Sequence, residues 1–457
     1  MRSSRTTGLW ASLFLIAPAT PLLAQAPPPE NAPPPGEESG RIDELPEDSV
    51  ARQVGRGVLV VPRAAVEIAM MPVRGTVWAF ERYHIIPRLR SVFYTDDGTF
   101  GIVPNLLFET DYGLNVGGKL VWHTGPGEGL SLSAGTGGRF RNYFEAAVRT
   151  GQRIPGVVLE GRVSYEQRPQ DRFYGIGNLD ETGIIPEMPV DPAFSDTSVE
   201  TTYRRQRARA SLSADIPLVA HLHLRPAAAL ADVELGSADK EVPIDEVYAP
   251  SDLTGFMDGY RLGYGELELR WDTRQSATRW EPTEVPGTGT MLAGYAGYAL
   301  VDPGDSFWRV GVDVAHYLRI ASGPRVLETR LHAEAITGDT EDVPFTELPM
   351  LGGGRYLRGY PIERFRDRAA VVGTLEYEFD LSRMFLASVF TDVGRVFPSI
   401  TDLSFDDLRA GFGVALEAHS DAGFVTRVSL ASSIDGGAFV NLYFEPVSSV
   451  PPRVERR

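Results

Sequence analysis

The feature that most limits the fold of this 457-residue chain is a regular alternation of apolar and polar side chains. In ELELRWD (266–272) the residues Leu267, Leu269 and Trp271 alternate with charged ones, and VLEGRVSYE (158–166) repeats the pattern. A period of two residues is that of a β-strand with one apolar and one polar face. Strands of soluble sandwiches have about five or six residues, whereas these segments approach about ten, so they predict strands that cross a membrane in a barrel.

The barrel is predicted to occupy residues 85–446. At about ten residues per tilted strand, with turns and longer outer loops, this length holds about sixteen antiparallel strands, and about fourteen or eighteen also fit. The segment FVNLYFEP (439–446) is predicted to be the last strand, and residues 447–457 a C-terminal tail. The predicted fold class is therefore all-β, a transmembrane β-barrel with a short helical segment before it.

The first residues of the chain predict export. Two arginines precede an apolar run from Leu9 to Leu23, which is too short and too interrupted by proline to be a permanent membrane helix. Residues 1–24 are predicted to be a secretory signal peptide, and cleavage after Ala26 fits as well. No later segment has eighteen consecutive apolar residues, so no helical anchor is predicted.

Two further segments are predicted between the signal and the barrel. Residues 25–57 form an acidic linker that includes APPPENAPPPG (26–36), a proline-rich stretch expected to be extended and semi-rigid. Residues 58–84 carry apolar residues at roughly helical spacing, which predicts a short amphipathic segment. This segment could lie at the inner membrane interface, plug the barrel or pack as an ordinary helix.

Composition excludes several classes of function. The net charge of −17 argues against a nucleic-acid partner, whose phosphates need a broad basic patch. The absence of cysteine rules out disulfides and thiolate metal sites. His221 and His223 would share one strand face, but no further ligand lies near them in the sequence, so no metal site is predicted. Because no G-x-S-x-G or H-E-x-x-H motif occurs, the chain is predicted not to be an enzyme and to need no cofactor.

The segment LGGGRYLRGYPIERFRDR (351–368) places five arginines in this acidic chain. We expect it to be a basic loop held against an acidic wall inside the barrel. The wall would come from GTLEYEF (373–379) and FTDVG (390–394), whose carboxylates must point into the lumen because a charge on the lipid face is costly.

One ion-paired contact is predicted for this loop. Arg358 is expected to fork onto Asp392 and to reach Glu376, while Gly359 allows close backbone approach. The alternative is a solvated hairpin tip without wall contacts. The rest of the predicted site comprises Leu357, Tyr360, Phe390 and Gly394 beside the ion pair, and the supporting loop arginines Arg355, Arg364, Arg366 and Arg368.

These segments also carry a resemblance to a known family. LRGY (357–360), with Glu376 and the F-x-D-x-G motif (390–394), resembles the lumenal-loop signature of the BamA/TamA (bacterial surface antigen) family of outer-membrane barrels. RFYGIGN (172–178) and RWDTR (270–274) resemble further segments of that family. The resemblance implies an outer-membrane barrel with a weak first–last strand seam and a loop that reaches into the lumen.

The resemblance also implies a class of function. Family members insert β-barrel proteins into the outer membrane or pass polypeptide or lipid-related cargo across it. Residues 25–84 are too few for a POTRA module, the periplasmic domain usual in the family, which predicts a POTRA-less barrel. The expected partners are outer-membrane lipids or lipopolysaccharide, together with unfolded β-barrel clients or a separate periplasmic protein. Two alternatives stay open, namely a passive cation-favouring channel and a structural or accessory surface barrel.

Overall fold

The computed structural model describes residues 92–444 and the single residues 78, 82 and 83. Short gaps within this range fall at 111, 126, 139–140, 183, 194–197, 277–285, 321–324, 341, 383–384 and 421–422. The predicted signal peptide, the proline-rich linker and the C-terminal tail lie outside the described residues, as does nearly all of the predicted amphipathic segment.

Sixteen long strands form one closed antiparallel β-barrel, which confirms the predicted fold class. The strands of the described residues are, in chain order, β1 (Phe100–Glu109), β2 (Gly113–Gly125), β3 (Glu128–Thr136), β4 (Asn142–Thr150), β5 (Val158–Phe173), β6 (Thr201–Val219), β7 (Leu222–Ser237), β8 (Tyr260–Asp272), β9 (Gln275–Ser276), β10 (Pro286–Asp302), β11 (Phe307–Arg319), β12 (Arg325–Ile336), β13 (Met350–Leu351), β14 (Phe365–Arg366), β15 (Ala369–Asp380), β16 (Phe385–Phe397), β17 (Arg409–Ser420), β18 (Gly423–Ser433) and β19 (Gly436–Phe444). The two-residue strands β9, β13 and β14 are not counted among the sixteen.

Helices are few and short in the described part of the chain. None is long and apolar enough to cross a membrane. They include one α-helical turn at Ile244–Val247 and the 3-10 turns Gly151–Arg153, Pro250–Asp252, Phe345–Glu347 and Ile400–Asp402. Residues 78, 82 and 92–93 are also helical.

The alternation of side chains in the sequence becomes the two faces of the barrel wall. In β8, Leu267 and Leu269 are about half exposed on the outer face, at 52% and 48%, while Glu266 and Glu268 are buried inside. Successive side chains of a strand point to opposite faces of the sheet. In a closed barrel, every second side chain therefore faces the lipid and the others face the lumen. The period-two pattern was therefore sufficient to assign the lipid-facing side of the strand.

The two ends of the barrel differ in the length of their connections. Turns such as 220–221 and 381–384 are short, whereas the loops at 174–200, 238–259 and 337–368 are long. Transmembrane barrels have short turns on the periplasmic side and long loops outside. The end with the long loops is therefore the outer end.

An aromatic cluster lies at the outer end of the barrel. Phe173 and Phe345 meet edge to face, with ring centres 5.2 Å apart, and Phe173 and Tyr248 do the same at 5.0 Å. Tyr203 packs on Phe345 with the same geometry and is fully buried. Such aromatic pairs stabilise by about 0.5–1.5 kcal/mol beyond their area burial, so the long loops pack on one another as a hydrophobic core.

The barrel closes where the first and last strands meet. The register joins Leu106–Glu109 of β1 to Asn441–Phe444 of β19, whereas β1 pairs with β2 along its whole length, Phe100–Glu109. Strand β19 begins three residues before the predicted segment 439–446, because the hairpin turn that precedes it lies at Ile434–Asp435. The closing seam is therefore short among the described residues.

Candidate functional site

The loop between β12 and β15 folds back into the lumen as a hairpin. Its base is the ladder between β13 and β14, in which Met350 and Leu351 pair with Arg366 and Phe365. The chain can reverse here because Gly352 has a φ of +118°, and a Cβ at that position would lie 2.2 Å from the carbonyl oxygen of Pro361. Glycine at this position therefore lets the two arms of the hairpin approach.

Near the tip of this hairpin, Arg358 is held by two carboxylates of the barrel wall. Its Nε and Nη2 donate to the two oxygens of Asp392 at 2.7 and 2.8 Å, and its Nη1 donates to Glu376 Oε2 at 2.9 Å. The backbone N–H of Arg358 also donates to Asp392, at 2.8 Å. The arginine Cζ lies 3.5 Å from the centre of the Phe390 ring. The structure thus brings together four residues that the sequence placed in one site.

Further polar groups complete the hydrogen bonding of the two carboxylates. The Thr374 hydroxyl donates to Asp392 at 2.8 Å. The Ser388 hydroxyl donates to Glu376, and Arg427 donates to the same carboxylate at 3.1 Å. A buried charge is tolerated only when it is paired and hydrogen-bonded, and this cluster meets that condition. Sequence reasoning missed Ser388 and Arg427, although both lie on the lumen face of their strands.

The tip of the loop packs closely on β17 and β18. Gly359 has a φ of +99°, and a Cβ there would lie 2.2 Å from the Ser432 carbonyl oxygen. Opposite it, a Cβ on Gly411 would lie 1.6 Å from the carbonyl oxygen of Arg358. Sequence reasoning missed Gly411, whose only sequence signal is a glycine on the lumen face of a strand near the loop.

The other predicted residues of the tip take separate positions. The Tyr360 hydroxyl donates to Asp435 at 2.8 Å, and its ring packs on Phe365 instead of beside Arg358. Leu357 is fully buried in a small apolar cluster at the base of the loop. Gly394 lies on the lumen face of β16, where a Cβ would fall 2.7 Å from the Val371 carbonyl oxygen.

The other loop arginines are held mainly by neutral groups, which differs from the acidic wall expected for all of them. Arg364 donates to the Leu179 carbonyl oxygen at 2.9 Å, and Arg368 donates to that of Gly338 at 2.7 Å. Arg355 is exposed and lies over the Tyr356 ring. Arg364 and Arg368 contact the outer loops, where Arg368 also pairs with Asp339 at 3.3 Å. Of the loop arginines, Arg358 is the one that reaches the carboxylates of β15 and β16.

Arg366 shows how the outer loops are joined. It is fully buried, its Cζ lies 4.9 Å from the centre of the Phe173 ring, and it donates to the carbonyl oxygens of Phe345 and Arg172. Its own carbonyl oxygen accepts from the N–H of Gly177, at 2.8 Å. The segment RFYGIGN (172–178) therefore docks directly on the basic loop.

The loop also contacts the opposite wall. Glu363 lies 3.5 Å from Arg205 of β6 and 3.7 Å from Arg168 of β5. In the ring of barrel strands β5 and β6 are the fifth and sixth, whereas β15 and β16, which hold Arg358, are the twelfth and thirteenth. The hairpin therefore crosses the lumen from one side of the barrel to the other. No sequence motif marked Glu363.

Three groups of the loop have shifted pKa values, and one of them is Arg364, whose pKa is lowered by burial. Burial and the neighbouring Asp435 carboxylate raise the pKa of Tyr360 to about 12. Burial raises the pKa of Asp367 from 3.8 to about 6, against the lowering effect of the Arg368 backbone N–H. The charged form of Asp367 is thus disfavoured in the folded protein.

The histidines that suggested a metal lie apart from any ligand set. His221 sits in a turn with a φ of +67°, and its Nδ1 lies near the Asp272 carbonyl oxygen. His223 pairs with Asp215 at 2.6 Å. Within the described part of the chain, no group of three or more His, Cys, Asp or Glu side chains is placed to hold a metal ion.

A closed barrel with an apolar outer face, an ion-paired lumen and a hairpin that crosses it defines a transmembrane β-barrel with an inserted lumen loop. Residues 124–434 match the Omp85 superfamily domain. The chain belongs to the Omp85 superfamily and is thus an outer-membrane β-barrel, in a family whose members are insertion and transport barrels.

Solved structures are similar to this chain to different degrees. BamA from Haemophilus ducreyi lacking POTRA domains 1–3 matches with 16% identity and a TM-score of 0.52, over 76% of this chain and 70% of that one. CdiB from Acinetobacter baumannii and CdiB from Escherichia coli each match at 11% identity and a TM-score of 0.46. Both CdiB matches cover 75% of this chain, and 60% and 62% of theirs, less than two thirds. No curated protein sequence matches the chain.

Proposed function

We propose that this barrel inserts β-barrel polypeptides into the outer membrane through its first–last seam. The observation that carries the proposal is the closure of the barrel by β1 and β19, whose described register joins Leu106–Glu109 to Asn441–Phe444. Phe100–Asn105 pair with β2 on one side, and on the other side Gly101 bridges Tyr94 and the Phe100 carbonyl oxygen accepts from the Thr95 N–H. The positions that would face them on β19 lie beyond Phe444, outside the described residues. A strand edge that parts from its neighbour is a template for a further strand.

The sequence itself limits how many further residue pairs could form hydrogen bonds across this seam. A ladder continued in the same register would bring Pro446 opposite Pro104. Neither proline has a backbone N–H to donate. The seam is therefore easier to part than the pairing between β1 and β2, which supports its use as the place where a client strand enters.

The lumen loop argues against a passive channel. Arg358 and Glu363 attach the hairpin to opposite sides of the barrel, so the lumen is obstructed as long as both contacts hold. Passage of polypeptide or lipid cargo through the lumen would require the loop to leave, whereas insertion at the seam would not. For this reason we favour insertion of β-barrel proteins over passage of cargo through the lumen.

The proposed function requires particular partners and export to the outer membrane. Unfolded β-barrel polypeptides are the clients, supplied directly or by a separate periplasmic protein, and outer-membrane lipids including lipopolysaccharide surround the wall. Export would depend on the predicted signal peptide at 1–24. N-terminal sequencing of the mature protein from outer membranes tests that part of the proposal.

The insertion activity can be tested by locking the seam. The chain has no cysteine, so the double variant Phe108→Cys/Leu442→Cys introduces one pair across the seam, where these two residues are register partners. The folding of a urea-denatured outer-membrane barrel is followed in liposomes by heat-modifiable gel mobility. We expect the reduced protein to accelerate client folding, and the oxidised protein to lose the acceleration.

A matched control keeps the same first cysteine. In Phe108→Cys/Leu114→Cys the pair joins β1 to β2, where these residues are also register partners, and its oxidation should leave the acceleration intact. If the reduced seam variant and the wild type fold the client no faster than empty liposomes do, the proposed function is wrong. Equal acceleration with the seam oxidised would place client entry elsewhere.

A further inference from the structure

We propose that Arg168, Arg205 and Arg207 form a lumenal binding site for a carboxylate of a polypeptide client, a site that Glu363 of the protein's own loop fills in this structure. The proposal rests on the proposed function in that it names where a client touches the lumen. It concerns the wall of β5 and β6, away from both the seam and the Arg358 contact.

The wall around Glu363 has more positive than negative charge. Two carboxylates of the wall, Glu166 and Asp171, are shared among four arginines, which comprise Arg141, Arg168, Arg205 and Arg207. Asp171 also accepts from the Tyr112 hydroxyl. These four arginines outnumber the two wall carboxylates that they contact, in a chain with a net charge of −17. Glu363 is the carboxylate that the loop adds to this group of charges.

The Glu363 contact is much looser than the Arg358 contact. Glu363 lies 3.4 Å from Arg366 of its own loop, and 3.5 and 3.7 Å from Arg205 and Arg168 of the wall, distances at which the ion pairs lack short hydrogen bonds. Arg358 instead makes contacts of 2.7 to 2.9 Å to Asp392 and Glu376. Glu363 also has a φ of +56°, a backbone conformation that is strained for a residue other than glycine. An incoming carboxylate can therefore displace Glu363 while Arg358 stays bound.

An open space lies next to this contact. A cavity of about 180 Å³ is bordered by Arg205, Arg207 and Glu363, with Arg355 and Tyr356 of the loop on its other side. Buried charges must be paired, so displacement of Glu363 is favourable only if another anion replaces it. The cavity provides room for a carboxylate side chain to do so.

The present occupant indicates the class of ligand. It is a side-chain carboxylate on a loop segment beside the short β14 strand, and an arginine accepts such a carboxylate from any polypeptide in the same way. The loop thus acts as an internal substitute for an acidic client segment, which keeps the arginines paired when no client is present.

Binding of a fluorescein-labelled hexaglutamate peptide to the full-length protein in lipid nanodiscs tests the site. Anisotropy is measured for wild type, Glu363→Gln and Glu363→Gln/Arg205→Gln, each checked for folding by heat-modifiable mobility. We expect the Glu363→Gln variant to bind at least about tenfold more tightly than wild type, and the added Arg205→Gln to abolish that gain. Labelled hexalysine should bind none of these proteins through this site.

The control variant is Glu347→Gln. Glu347 borders the same cavity and pairs with Arg309 at 3.5 Å, the distance of the Glu363–Arg205 pair, so its removal should leave peptide affinity unchanged. Equal affinity for wild type and Glu363→Gln, or an equal gain from Glu347→Gln, would overturn the proposal. If the double variant does not fold, Arg207→Gln replaces Arg205→Gln. Tight peptide binding without client folding would reject the proposed function and leave the site in place.

Discussion

The Arg358 guanidinium and the Asp392 carboxylate lie face to face as a fork, with Nε–Oδ2 and Nη2–Oδ1 distances of 2.7 and 2.8 Å. The same carboxylate accepts the backbone N–H of Arg358, so it fixes both the side chain and the main chain of this loop residue. Bidentate pairs of this kind add geometric specificity to charge attraction. The barrel wall therefore specifies one conformation of the loop tip.

Arg358→Ala should destabilise the barrel strongly. The side chains of Arg358, Glu376 and Asp392 are almost fully buried, and removal of one member leaves uncompensated charge, at a cost of about 3–5 kcal/mol. The measurement is urea unfolding in micelles, followed by heat-modifiable mobility. Arg358→Lys keeps the positive charge but cannot form two parallel hydrogen bonds to one carboxylate. Its free energy of unfolding should therefore lie between those of wild type and Arg358→Ala.

Arg355→Ala is the matched control for this prediction. Arg355 lies in the same loop and is exposed over the Tyr356 ring, so its loss should change the free energy of unfolding by less than about 1 kcal/mol. Equal unfolding midpoints for the Arg358 and Arg355 variants would contradict a structural role of the fork.

Gly411→Ala should expel the loop tip. The added Cβ would lie 1.6 Å from the Arg358 carbonyl oxygen. Because the positions of a Cβ and of a carbonyl oxygen are both set by the backbone, no change of side-chain rotamer can relieve this clash. Limited proteolysis of intact cells or nanodiscs should then cleave within 351–368, a segment that stays protected in wild type. Gly263→Ala, where the nearest atoms to a Cβ are 3.8 Å away, should keep wild-type protection.

Much of the architecture could be predicted from side-chain periodicity. The alternation in segments such as 266–272 was enough to predict a membrane barrel, because each strand shows its apolar and polar faces in its own sequence. The length of residues 85–446 then gave about sixteen strands. The start of β1 at Phe100 and that of β19 at Gly436 were not fixed in this way, since they depend on turns and on which residues find a partner.

The site was predictable only where its members lie close in sequence. Arg358, Glu376 and Asp392 fall within 35 residues of one another and share the lumen side of one loop and two adjacent strands. Arg427 and Glu363 reach their partners across the lumen or across several strands. Those contacts follow from strand order and register, which side-chain periodicity does not give.

Asp367→Asn should stabilise the protein at neutral pH and lose that advantage in acid. Burial raises the Asp367 pKa from 3.8 to about 6, so the folded protein binds a proton more tightly than the unfolded chain. Wild-type stability therefore falls as pH rises from 3.8 to 6, by about 3 kcal/mol in total. Asparagine keeps the acceptor for the Arg368 N–H and carries no charge.

The check on this prediction is urea unfolding at pH 4.0, 5.0, 6.0 and 7.5. The difference in free energy of unfolding between Asp367→Asn and wild type should grow as the pH rises to about 6 and then level off. Asp96→Asn, at an exposed turn residue, should show no such growth. A difference that is constant with pH would mean that Asp367 is not buried as a protonated acid.

Release of both loop contacts should open the barrel to ions. With Arg358 on β15 and β16 and Glu363 facing β5 and β6, the hairpin crosses the lumen, so wild type in planar bilayers should show little steady conductance. Arg358→Ala/Glu363→Gln removes these two ion-paired contacts and leaves the Tyr360–Asp435 and Arg364–Leu179 hydrogen bonds. We expect longer and more frequent openings than in either single variant, in which one of the two ion-paired contacts still returns the loop. Arg355→Ala should behave as wild type. Steady cation-favouring conductance in wild type itself would show that the loop does not seal the lumen, and the passive-channel alternative would then replace the proposed function.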